Sequence, residues 1–115
     1  MQEQTSREIR STLTTDGDIE ISIASVPKPI PAENEVLIRV EASPINPSDL
    51  GLLISFAADL DTLQISGTGD ETVAKLKIHP ALMGSMKPRI GQSMPVGNEG
   101  GGVIEDAGAN AKELI

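Results

Sequence analysis

The chain has 115 residues, room for a single core, with hydrophobic residues at 38% but Phe56 as the only aromatic, so any core is built from Ile, Val, Leu, Ala and Met. Its formal charge of -8, from 17 acidic and 9 basic residues, repels phosphate backbones and anionic lipid, which argues against nucleic acid or a membrane surface as partner. The absence of cysteine excludes disulfides, thiolate nucleophiles and cysteine-based zinc sites.

Along the chain, Ile9, Ser11 and Leu13 alternate with Glu8, Arg10 and Thr12, a period-two signal that predicts a first strand ending at the Thr15-Asp16-Gly17-Asp18 turn cluster. Ile19, Ile21 and Ile23 predict a second strand, closed by Pro27-Lys28-Pro29-Ile30-Pro31, an extended connector. The clearest strand is 35–42, with Val36, Ile38, Val40 and Ala42 on one face. Pro44 and Pro47 then remove two backbone donors and turn the chain into a tight loop. A short helical segment follows through Leu50-Gly51-Leu52-Leu53, with Ser48 as its expected N-cap.

From 54 to 94 the pattern loosens and predicts a surface region. Asp59 to Leu63 reads as a helical turn, the stretch 66–70 as a flexible turn and Val73 to Ile78 as a strand. The segment 83–89, with Met83, Met86, Lys87 and Arg89, reads as a solvated loop carrying a local positive spot. His79, before Pro80, is expected on the surface without a role. No apolar run approaches the roughly 20 residues a spanning helix needs, and no signal-peptide stretch opens the chain, so a soluble cytoplasmic protein is expected.

The block Pro95-Val96-Gly97-Asn98-Glu99-Gly100-Gly101-Gly102-Val103-Ile104 invites comparison with a phosphate cradle. A dinucleotide fingerprint needs G-x-G-x-x-G between strand and helix, whereas this block leads into strand-like Val103-Ile104. It therefore reads as a strand entered through a bulge or a close backbone approach. Asp49 and Glu99 are the two carboxylates in Pro/Gly-rich loops, where a scaffold displays functional groups. The residues alone lead to an acidic, mainly β domain without thiol chemistry.

Three pieces in fixed order go further: Glu35-Val36-Leu37-Ile38-Arg39-Val40-Glu41-Ala42, Ile45-Asn46-Pro47-Ser48-Asp49-Leu50, and the 95–105 block. Together they resemble the N-terminal GroES-like domain of the medium-chain dehydrogenase/reductase superfamily, of the zinc-free quinone oxidoreductase type. The resemblance implies a mainly β, partly open barrel with short helices, incomplete in this chain, and residues 53–94 resemble a loop-rich insertion. It implies hydride transfer from NADPH to a quinone or enone, with the nucleotide held by a Rossmann domain absent from these 115 residues and this chain inactive alone. Asn46 and Asn98 stand where zinc-dependent relatives place a cysteine and a histidine ligand, and a neutral amide is a poor substitute for either. By the same resemblance, Asn46, Asp49, Asn98 and Glu99 are the catalytic-site residues, and Asn46 and Pro47 border the nicotinamide. Exposed strand edges and a homo-oligomer are expected. The competing expectation is a non-catalytic binding or assembly module with the same fold; a true co-chaperonin is disfavoured because these motifs have no role there.

Overall fold

The computed structural model describes residues 4–115. It is mainly β, with open sheets, no closed barrel and only short helices among the described residues. The strands are β1 (Thr5–Leu13), β2 (Asp18–Pro27), β3 (Val36–Ala42), β4 (Ala58–Ser66), β5 (Val73–Ile78), β6 (Ser93–Pro95) and β7 (Gly101–Ala107). One α-helix, α1 (Pro47–Leu53), joins three 3-10 helices at Gly69–Glu71, Pro80–Arg89 and Lys112–Leu114. The described chain divides into two compact units, one of residues 7–26 and 46–96, the other of residues 4–6, 27–45 and 97–115.

The first unit is built on a five-stranded sheet in the order β4-β5-β2-β1-β6. Its hairpin turns at Gly17, whose φ of 86° suits glycine, with Thr14 N–H donating to the Asp18 carbonyl at 2.8 Å. Leu13 and Ile19, at the two ends of that hairpin, are fully buried and cluster with Ala57 and Ile78. Met83, Met86 and Ile90 pack against this cluster from the 80–90 segment. The segment 83–89 is therefore not a solvated loop. Its methionines fill irregular gaps that a core without large aromatics leaves.

One further expectation for 54–94 is overturned and another is qualified. Asp59 to Leu63 is not a helical turn but part of β4, and the region is not only loop: most of it lies at the surface as expected, but it supplies two strands of the sheet, and Leu76 and Ile78 of β5 are buried. The register between β4 and β5 slips between Asp59 and Gln64. Within the slip, Thr62 Oγ1 donates to the Asp59 carbonyl at 2.6 Å and accepts from Lys77 N–H at 2.8 Å. The side chain thus replaces ladder bonds that the bulge removes.

In the other unit β3 pairs antiparallel with β7, with Ile38 opposite Ile104 and Val40 opposite Gly102. The glycine block does provide a close backbone approach: a Cβ on Gly102 would sit 2.0 Å from the Arg39 carbonyl oxygen. Gly108 meets the Ala32 carbonyl in the same way and donates its N–H to Glu35 O at 2.9 Å. Ile38, Val40 and Val103 remain about half exposed or more, at 49%, 60% and 49%, so this ribbon has apolar surface that its own two strands do not cover.

Candidate functional site

The site begins with the Asn46-Pro47 step. Proline disfavours the helical region for the residue before it, and Asn46 takes φ -90° and ψ 155°, the backbone shape of an N-cap. Pro47 then occupies the first helical position, where its missing N–H is of no consequence. The cap of α1 is therefore Asn46 and not the expected Ser48: the proline decides which of the two polar residues stands outside the helix.

Three residues on, Asp49 closes a capping box. Its Oδ2 accepts from Asn46 N–H at 2.8 Å, and its own N–H donates to the Asn46 carbonyl at 2.9 Å. Asp49 is 7% exposed, so its carboxylate is committed to this turn and faces the positive end of the helix. Asn46 is half-buried. The structure brings Asn46 and Asp49 together, and it assigns Asp49 the task of holding Asn46 in place.

The far end of α1 is anchored by residues that carried no sequence signal as a group. Ser11, fully buried in β1, donates its hydroxyl to the Leu53 carbonyl at 2.9 Å. Arg89 donates to the Leu52 carbonyl at 3.2 Å and to the Ser11 carbonyl at 3.3 Å, so one guanidinium spans strand and helix. Burial lowers the Arg89 pKa from its ordinary value, and its buried Nε lacks a protein partner. This positive charge of the 83–89 segment points inward to one helix-end carbonyl, that of Leu52, and to the Ser11 carbonyl of β1.

α1 ends at Ile54, and the next residue, Ser55, has φ 68°, a left-handed conformation that commonly falls to glycine at a helix C-terminus. Ser55 is buried, and its N–H donates to the Leu50 carbonyl at 3.2 Å. Its hydroxyl accepts from Ala57 N–H at 3.1 Å and contacts Met86 Sδ at 3.6 Å. Serine here exchanges backbone ease for a fixed turn. The turn carries Phe56, which is 89% exposed.

Asn98 and Glu99 lie in the other unit, exposed in the loop before β7. Gly97, with φ 101°, opens this loop, and Ser43 Oγ donates to the Glu99 carbonyl at 2.7 Å, tying it to the end of β3. The four expected site residues thus divide two and two between the units.

No group of three or more His, Cys, Asp or Glu side chains suited to a metal occurs among the described residues, and no described helix is long and apolar enough to cross a membrane. The residues present do not fit a dinucleotide phosphate either. The 97–102 glycines run directly into strand β7, and the N-terminus of α1 is already occupied by the Asp49 carboxylate. A scan against protein-family models finds no match for this chain, and a search of curated proteins finds no significant relative.

Proposed function

We propose that this chain is the substrate-side domain of an NADPH-dependent, zinc-independent oxidoreductase that reduces quinones or enones. The observation that carries the reading is the Asn46-Pro47-Ser48-Asp49 turn, which lies in the second of the three pieces whose fixed order resembles that enzyme class. In it a buried carboxylate accepts the N–H of one neutral amide residue and holds it at a helix N-cap. Such an arrangement suits orientation of a carbonyl by hydrogen bonding, since the Asn46 side-chain oxygen accepts from the Asp49 N–H in the capping box and so fixes the direction of the amide's N–H donors.

In this reading Asp49 is a positioning residue rather than an acid. Asn98 and Glu99 form a second, glycine-hinged loop of the substrate side, and Pro47 and Asn46 border the nicotinamide. In the same reading the nucleotide phosphates bind on chain outside these 115 residues.

The test is calorimetry with NADPH on this chain and on the same chain continued through its reading frame. NADPH binding only by the longer protein is the expected result. Tight binding by the 115-residue chain overturns the placing of the cofactor, and no binding by either overturns the oxidoreductase reading in favour of a non-catalytic module.

A further inference from the structure

Phe56 is the sole aromatic side chain, and no tyrosine or tryptophan accompanies it. Burying an aromatic ring is among the largest stabilising contributions a small core can have. Yet Phe56 is 89% exposed, while the smaller Ala57 beside it is 7% exposed and belongs to the core cluster.

The ring is nonetheless held. On one side lies α1: a Cβ added to Gly51 would stand 3.1 Å from Phe56 Cε2 and 3.5 Å from Cζ. The glycine therefore leaves the space the ring edge occupies. Behind it, the left-handed Ser55 is pinned through both its N–H and its hydroxyl. A left-handed non-glycine conformation costs energy and persists only where its surroundings over-determine it. The combination of a strained, buried serine, a glycine opposite and an exposed ring between them describes an aromatic platform with one side braced and the other open. It follows directly on the C-terminus of the helix that Asn46 caps.

We propose that Phe56 is a stacking platform for a planar conjugated ligand, the ring of the quinone or enone acceptor. The identity of the ligand rests on the oxidoreductase reading, whereas the platform rests on the geometry around Phe56. A flat, electron-poor ring gains from an offset stack on a phenyl face, and a saturated ring of similar size does not.

The experiment is an aromatic NMR titration of the whole chain with menadione, with a saturated cyclic diketone as control. In heavy water after amide exchange, Phe56 and His79 are the only residues that carry aromatic ring protons, so the protein's ring signals are assigned directly. The lack of cysteine removes the thiol adducts that quinones otherwise form. The expected result is a saturable shift of the Phe56 ring, and in ordinary water of the Gly51 amide, with menadione and none with the diketone. Affinity should fall about tenfold in both Phe56→Ala and Phe56→Leu, the scale of one lost stacking contact, and hold in Phe56→Tyr. Unmoved Phe56 signals, or equal affinity in Phe56→Ala, overturn the platform. NADPH binding by the longer chain is read separately. Binding of NADPH without menadione stacking removes the platform alone, and stacking without NADPH binding removes the oxidoreductase reading and keeps the platform.

Discussion

Asp49 shows how a carboxylate in a candidate site can also hold its neighbour in place. A carboxylate in a Pro-rich loop is a reasonable candidate for catalysis, but here it is buried and bonded to the Asn46 N–H at 2.8 Å. Replacing Asp49 with alanine leaves that N–H without its acceptor and removes the acid from the first turn of α1. We expect a loss of about 1 kcal/mol in urea unfolding, the usual scale for a lost cap. A neutral substitution would mean that the carboxylate is free for chemistry after all. Arg89 is a charge expected in solvent that instead binds one helix-end carbonyl, that of Leu52, and the Ser11 carbonyl of β1. Burial depresses its pKa, so the unfolded state holds the proton more tightly. The resulting cost is constant wherever arginine stays charged in both states and relaxes only as pH rises past the folded pKa, far above neutrality.

At the scale of elements, the strands with alternating β-branched residues were legible, and the bulged strand was not. β1, β2, β3 and β5 follow the period of their apolar residues. β4 does not, because Leu60 and Leu63 sit three apart across a register slip and mimic a helical repeat. The glycine block makes a sharper test. Gly101 has open space where a Cβ would stand, whereas at Gly102 that atom would lie 2.0 Å from the Arg39 carbonyl oxygen. Gly101→Ala should therefore leave the β3–β7 amide signals in place, while Gly102→Ala should destabilise the pair by about 1–3 kcal/mol, the range for a forced overpacking. Equal behaviour of the two variants would rule out close approach as the reason for glycine at 102.

For the molecule as a whole, the two units differ in what holds them. The five-stranded sheet has Leu13, Ile19, Leu76 and Ile78 buried at its centre, whereas the β3–β7 ribbon leaves Ile38, Val40 and Val103 substantially exposed. A two-stranded ribbon with little cover is marginal in water, and local opening follows local burial. Hydrogen exchange should accordingly be slowest in β2 and β5 and faster in β3 and β7. Protection of β3 and β7 equal to that of β5 would show that the ribbon is covered in solution, as self-association through it would require.

The sequence by itself determined the mainly β character, the first hairpin, the strand at β3 and the close backbone approach of the glycine block as it enters a strand. Each of these depends on local sterics and on a period that neighbours along the chain reveal. Only the tertiary structure decided that Asn46 and not Ser48 caps α1, although the proline between them carried the clue. It alone decided that Arg89 and Ser11 clasp one helix end and that Ser55 braces Phe56. Those pairings join residues 78 and 42 positions apart or turn on a backbone angle, and neither quantity has a signature in a single sequence, because contact across a fold is fixed by packing and not by adjacency.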